Sequence, residues 1–319
     1  MSAAPTWVLP GSPRHGVAIY AQRVAELLRP LRDNLRISGF DRLDDGPAHV
    51  QFTDRLWGST PEEAAERFRR FASGRVTTVT LHDVPQPSDG PEGFARRAAC
   101  YAAVVAAAAG IVCSSDHEAR LLREHVDPAA RAAVIPLPLA PSPEALRPAP
   151  RASVGLLGYF YPGKGHAEVL AAMGSAGLAG SVAIEVLGGA SPGHEPELQR
   201  FADDARDRGF EIEVCGYLAD AELLARSRAV GVPVIAHQHI SASGSLNSWL
   251  EAGRRPVALR SRYTEEMERR RPGTLALTTP DRLGAAIAGA DPASTWQAAA
   301  VRPEETARAY LDWWKRMAA

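Results

Sequence analysis

Short apolar runs rich in Val, Ile and Leu alternate with longer amphipathic segments along nearly the whole of the 319-residue chain. Successive parallel strands need a crossover of a dozen or more residues, so this alternation specifies α/β units built on parallel sheets. Strands are expected at residues 7–10, 35–40, 49–53, 76–82, 110–114 and 133–137, with helices at 17–31, 61–72, 93–109 and 117–125. Thr60-Pro61-Glu62-Glu63 marks one helix start, with a capping hydroxyl, Pro at the first helical position and Glu at the third. The series breaks at IPLPLAPSPEALRPAPRAS, where six prolines fall between Pro136 and Pro150. Such a run holds neither a helix nor a central strand and makes an extended connection. Beyond it the pattern restarts, with strands at 153–157, 182–187, 212–215, 231–236, 256–259 and 274–277 and helices at 166–173, 195–208, 221–228, 245–253 and 264–270. Chains longer than roughly 250–300 residues usually outgrow one core. Two domains are therefore expected, 1–140 and 141–300, followed by a terminal helix within 301–319 whose Tyr310, Trp313 and Trp314 are spaced to pack. Two such halves leave a cleft facing the carboxyl ends of both sheets.

Charge excludes one class of partner. The chain has 36 basic and 37 acidic side chains and a formal net charge of −1, so it lacks the broad positive field of non-specific nucleic-acid binding. The basic set contains only two lysines, Lys164 and Lys315; the rest is Arg. Cys100, Cys113 and Cys215 are odd in number, far apart and embedded in apolar runs, which reads as buried thiols in a reducing compartment. The N-terminus lacks a charged region followed by an apolar one, and the run AACYAAVVAAAA is too short to span a bilayer. A cytoplasmic location is expected, with peripheral contact to a lipid acceptor left open.

Two segments carry the chemistry. In SVGLLGYFYPGKGHAEVL an apolar strand enters a Gly-rich turn and then a helix whose first N–H groups lie beside Lys164, an arrangement that suits a diphosphate. The spacing from Gly158 to Gly163-Lys164 also approaches a P-loop, but Gly165 stands where a magnesium-holding Ser or Thr belongs. In VGVPVIAHQHISASGSLNSWLEAGRRPVAL a small polar turn precedes a helix, and the amides of Gly244, Ser245 and Leu246 are placed to cradle a second part of the same phosphate. Glu251, one to two turns on, is either a solvated helix residue or a ribose partner. His237-Gln238-His239 has a spacing that binds metal, but no Cys or carboxylate cluster joins it, so a polar lining of the donor cleft is preferred and no metal is expected.

The order of these segments resembles the retaining nucleotide-sugar glycosyltransferases of family 4, which have the two-Rossmann GT-B fold. GSPRHGVAIYAQRVAELL is similar to the family's first glycine-rich loop, VTLHD to the strand ending at the sugar site, GIVCSSDHEARLL and VIPLPL to the last third of the first domain. GYFYPGKGHAEVL is similar to the lysine loop, VCGYLADAELLARSRAVGVPV to the unit after it, and SASGSLNSWLEAGRRPVAL to the donor-binding helix. The resemblance implies an acceptor domain at 1–140, a donor domain at 141–300 and a final helix crossing back to the first domain. It implies that Lys164 stabilises the donor diphosphate, Glu251 holds the ribose, His82 contacts the transferred sugar, and Gly16 lets ligand approach the first domain's backbone.

Two departures stand beside the matches. Ser243 replaces the first of the family's two glutamates, and Tyr159 replaces the arginine that accompanies the lysine; Arg14, Arg254 or Arg255 are candidates for the missing charge. The activity implied is transfer of a sugar from a nucleoside-diphosphate-sugar to an acceptor hydroxyl with retention of configuration. No cofactor or metal is expected besides the donor as co-substrate, and the acceptor is a saccharide, small molecule or lipid-linked group. The alternatives are a glycosyltransferase-like protein that binds nucleotide or sugar without turnover, and a magnesium-dependent P-loop hydrolase.

Overall fold

A computed structural model describes residues 4–11, 15–140, 148–297 and 302–318. The chain forms two compact units, Met1–Pro138 with Arg302–Ala319, and Leu139–Val301. Much of the proline-rich connection, 141–147, lies outside the described residues.

In the first unit, β1 (Thr6–Leu9), β2 (Ile37–Gly39), β3 (Ala48–Phe52), β4 (Thr77–Leu81), β5 (Gly110–Cys113) and β6 (Ala132–Val134) pair in parallel in the order β2-β1-β3-β4-β5-β6. The helices that follow are α1 (Gly16–Leu28), α2 (Asp54–Trp57), α3 (Pro61–Ala72), α4 (Pro91–Ala107) and α5 (Asp116–His125). Helix α3 starts as its sequence dictates, with Thr60 Oγ1 accepting from the amide of Glu63 and Pro61 at the first position. One face of the sheet packs Val50, Phe52, Val79 and Leu81 against Phe68, Tyr101 and Leu122 of the helices.

In the second unit, β7 (Ser153–Leu157), β8 (Ala183–Leu187), β9 (Ile212–Val214), β10 (Val232–Ile235), β11 (Val257–Leu259) and β12 (Ala276–Thr278) pair in parallel in the order β12-β11-β10-β7-β8-β9. Between and beyond them run α6 (His166–Ser175), α7 (Glu195–Asp207), α8 (Asp220–Ala229), α9 (Gly244–Glu251), α10 (Arg262–Arg270) and α11 (Leu283–Ala288). Apolar clusters cover both faces, one centred on Val154, Val186 and Phe201, the other on Leu157, Ile235 and Trp249. A sheet buried on both faces is what continuous apolar strands such as VPVI demand.

The last helix, α12 (Glu304–Met317), belongs to the first unit. Its buried Thr306, Ala307, Tyr310, Trp313 and Trp314 form a helical stripe on the second face of the first sheet, beside Trp7, Tyr20 and Val24. Thr306 Oγ1 donates to the carbonyl of Pro136 at 2.9 Å.

All twelve strands expected from the sequence are present, in two parallel six-stranded sheets flanked by helices, the two-Rossmann GT-B architecture. Helices α2 and α11 were not expected. With four and six residues, they are too short to show a periodic apolar stripe.

Candidate functional site

Each sheet has one point where strand order reverses, and open α/β sheets bind ligands outside the carboxyl ends of the strands there. In the second unit that point lies between the neighbours β7 and β10. The turn after β7 carries Lys164, and the turn after β10 ends at Ser243, with Gly244 and Ser245 opening α9. Topology thus brings together two segments about 80 residues apart in sequence.

Lys164 Nζ donates to Ser245 Oγ at 2.7 Å and lies 5.5 Å from the centre of the Tyr161 ring. Desolvation draws the lysine pKa down to about 8. The loop is held from below by Gly165, which has φ +95° and caps α6. A side chain there would place Cβ 2.1 Å from the carbonyl oxygen of Ala236, so only glycine fits. Gly158, at φ +102°, is similarly confined, a Cβ falling 2.6 Å from Ser245 Oγ and 3.2 Å from Lys164 Nζ. The amide of Gln238 donates to the carbonyl of Gly163 at 2.9 Å and ties the two turns together.

Ser243 is the N-cap of α9. Its Oγ accepts from the amide of Leu246 at 3.1 Å, and its own amide donates to Tyr263 Oη at 3.1 Å. The Leu246 amide, expected to face a phosphate, is therefore committed within the helix; the amides of Gly244 and Ser245 are the first-turn donors that remain. Ser243, only 2% exposed, works as a helix cap rather than as a surface group. Glu251 is the last residue of α9, and its Oε1 accepts from the amide of Ala140 at 2.9 Å. Tyr159, 45% exposed, projects from the turn after β7.

The candidate replacement charges fare unequally. Arg254 is fully buried, and its guanidinium donates to the carbonyls of Ser227, Arg228, Val230, Gly231 and Thr295 and to Thr295 Oγ1. It stabilises the end of α8. Arg254 and Arg255 also precede β11, so they lie at the amino ends of the parallel strands, opposite Lys164. Arg14 lies outside the described residues.

Of the two histidines in the HQH segment, His237 has its pKa held well below the usual range by burial, with Lys164 and His166 adding to the effect. His166, the first residue of α6, was not singled out by the sequence. It is 3% exposed, touches the rings of Phe160 and Phe201 edge-on, and has no partner for either ring nitrogen among the described residues. Burial keeps it neutral, with a pKa of about 3. Among the described residues no three His, Cys, Asp or Glu side chains gather in a group able to hold a metal ion.

In the first unit the order reverses between β1 and β3. Gly16 opens α1 after β1, and a Cβ added there meets none of the described residues within 4 Å. Its neighbour His15 caps the helix, Nδ1 accepting from the amide of Val17 at 3.2 Å. His82 immediately follows β4 and is 6% exposed. Its Nε2 lies 2.9 Å from Gln51 Oε1, its carbonyl accepts from Tyr101 Oη, and the Tyr20 ring meets its imidazole edge-on at 4.9 Å. The Gln51 contact makes Nε2 the protonated nitrogen and leaves Nδ1 as the acceptor. Burial, with His15 as a lesser cause, lowers the pKa to about 3, so the ring is neutral. Asp83 beside it is the one non-glycine residue at positive φ among the described residues, at +51°. Arg97 fixes this corner by donating to the Asp83 carbonyl and, through two bonds of 3.1 Å, to the carboxylate of Asp54. Neither Gln51 nor Arg97 belongs to a recognisable motif, and nothing in the sequence marks them.

No family model and no curated protein matches the chain. Solved structures do. Sucrose-phosphate synthase from Thermosynechococcus elongatus aligns with a TM-score of 0.66 at 15% identity over 99% of this chain and 93% of its own. The Anabaena protein HepE, solved in complex with UDP and glucose, aligns with a TM-score of 0.65 at 15% identity over 98% and 95%. A UDP-forming α,α-trehalose-phosphate synthase from Burkholderia xenovorans, in complex with glucose-6-phosphate, aligns with a TM-score of 0.58 at 12% identity over 94% and 75%. At these identities the likeness is one of fold, and it spans both units of the chain.

Proposed function

We propose that the protein is a glycosyltransferase that moves a sugar from a nucleoside-diphosphate-sugar to an acceptor hydroxyl with retention of configuration and without a metal ion. One observation carries the reading: the ammonium of Lys164 and the first turn of α9 meet at the switch point of the second sheet, linked by the 2.7 Å bond to Ser245. The fold shared with a sucrose-phosphate synthase, a UDP-forming α,α-trehalose-phosphate synthase and a protein solved with UDP and glucose supports it.

Lys164 has three N–H donors and spends one on Ser245, which leaves two for phosphate oxygens. As the bond between sugar and diphosphate breaks, negative charge grows on the leaving oxygen. A fixed ammonium and the amides of Gly244 and Ser245 meet that charge without reorganising, the setting in which electrostatic stabilisation is largest. Glu251 takes the ribose hydroxyls through the carboxylate that now holds Ala140. In the first unit His82 presents Nδ1 to a hydroxyl of the transferred sugar, because its Nε2 and its carbonyl are already engaged. Gly16, with none of the described residues within 4 Å of a Cβ placed there, lets ligand come close to the start of α1.

The test is Lys164→Ala, assayed for transfer with the cognate donor and with the product's anomeric configuration read by NMR. A loss of about 100-fold or more in kcat/KM is expected; an unchanged rate removes Lys164 from the mechanism, and an inverted product removes retention. A second reading, binding without turnover, is favoured by one observation: Ser243 is consumed as a helix cap where the family places a sugar-binding carboxylate. Donor binding with neither transfer nor hydrolysis across a broad acceptor panel would select it.

A further inference from the structure

The second face of the first sheet carries a buried polar column that no catalytic motif accounts for. Strand alternation puts Thr78 and Thr80 of β4 on one face with His82 just beyond, and the register His49↔Thr78 and Gln51↔Thr80 places two more polar residues beside them. His49 Nδ1 lies 2.9 Å from Thr78 Oγ1, and its Nε2 lies 3.0 Å from Thr80 Oγ1. Thr80 Oγ1 is 2.6 Å from Tyr310 Oη, which is 2.6 Å from Tyr20 Oη. The Tyr20 ring then meets His82 edge-on. His49, Thr80 and Tyr310 are fully buried.

The Thr78 hydroxyl bond to the Ala48 carbonyl, 3.4 Å long, sets the direction of this column. The Thr78 hydroxyl donates to the carbonyl of Ala48, so its oxygen accepts from His49 Nδ1–H. His49 is neutral, its pKa lowered to about 3 by burial, so Nε2 must accept from Thr80. Thr80 in turn accepts from Tyr310, and Tyr310 from Tyr20. Every member is satisfied only if all are present. A stack of Val and Leu would fill the same volume without this mutual dependence, so the column fixes orientation as well as packing. Its end point is the ring of Tyr20, which is the wall of the His82 site.

We infer that Tyr20 and Tyr310 are positioning residues for His82, so that the C-terminal helix α12 sets the geometry of the imidazole at the far edge of the sheet. This rests on the role given to His82 above. The ring of Tyr310 packs on Trp7 and Trp314 whether or not its hydroxyl is there, so Tyr310→Phe removes the link between Thr80 and Tyr20 and keeps the packing.

The experiment compares the unaltered protein with Tyr310→Phe, Tyr20→Phe and the control Thr306→Val, which removes the bond of the same helix to the Pro136 carbonyl, outside the column. Two quantities are read in each: the imidazole 15N and 13C resonances of His82 in the ligand-free protein, and kcat and donor KM. Both Tyr variants are expected to shift or broaden the His82 signals and to lower kcat about fivefold or more with donor KM unchanged; the control is expected to lower the melting temperature alone. If Tyr310→Phe fails to fold, Tyr20→Phe breaks the same column at its outer end. Unchanged His82 resonances in a folded Tyr variant would overturn the inference, as would equal changes in the Thr306 control. The resonances need no turnover, so loss of the positioning role is distinguished from failure of the glycosyl-transfer reading.

Discussion

The two sheets are both parallel and six-stranded but differ in strand order, and they build their carboxyl edges in opposite ways. The second unit uses backbone: glycines confined by near neighbours, the amides of one helix turn, and a single ammonium placed on Ser245. The first unit uses side chains: a neutral histidine backed by glutamine, tyrosines and threonines drawn from positions up to 290 residues apart. A backbone site tolerates little change in the turn that forms it, whereas a side-chain site depends on every element that packs behind it.

The largest expected effect is shared by both units. His49, His82 and His166 are buried with pKa values lowered to about 3, while in the unfolded chain each titrates near its usual 6.5. Below pH 6.5 the unfolded state binds protons the native state refuses, so stability is present above that pH and is lost as pH falls from 6.5 toward 3. Each histidine contributes about 1.4 kcal/mol per pH unit in that window. Chemical denaturation between pH 7 and 4 checks this, and a flat profile would break it.

The next prediction separates the two kinds of edge. Gly165→Ala forces a Cβ onto the Ala236 carbonyl at positive φ and is expected to cost about 3 kcal/mol or more. Gly16→Ala meets none of the described residues and is expected to change stability by less than about 1 kcal/mol. Urea melts of both variants measure the contrast, which disappears if the two glycines prove equally sensitive.

A smaller effect concerns charge. With a Lys164 pKa of about 8, the ligand-free ammonium is present below that pH and lost above it. Affinity for a nucleoside diphosphate should therefore fall as pH rises through 8, by up to about tenfold per unit. Titration calorimetry at pH 7, 8 and 9 reads it. The smallest effect is at Tyr159, where Arg restores a cation on an exposed turn; Tyr159→Arg should tighten diphosphate binding by only about two- to fivefold, as suits a solvated charge.

What the sequence revealed follows the same division. The twelve strands, the lysine loop and the turn before α9 are local patterns, with glycine, lysine and small polar residues at fixed offsets, and they could be read directly. Ser243 as a helix cap was hidden, because a serine before a helix and a serine facing a ligand look alike until Leu246 is seen to donate to it. Arg254 was open to misreading for a related reason, since its burial under the end of α8 depends on packing rather than on neighbours in sequence. Tyr310 could be recognised as an aromatic helix residue but not as a partner of Thr80, 230 positions away.

The central claim is that Lys164 and the first turn of α9 together hold a diphosphate. The most direct measurement is a thermal-shift comparison of the unaltered protein and Lys164→Ala against UDP, GDP, ADP and TDP, with magnesium and with chelator. At least one nucleotide at about 100 times its dissociation constant is expected to stabilise the unaltered protein by about 2.7 kcal/mol, with or without magnesium, and the variant to lose most of this. Equal stabilisation of both proteins, or none of either by any of the four, would contradict it.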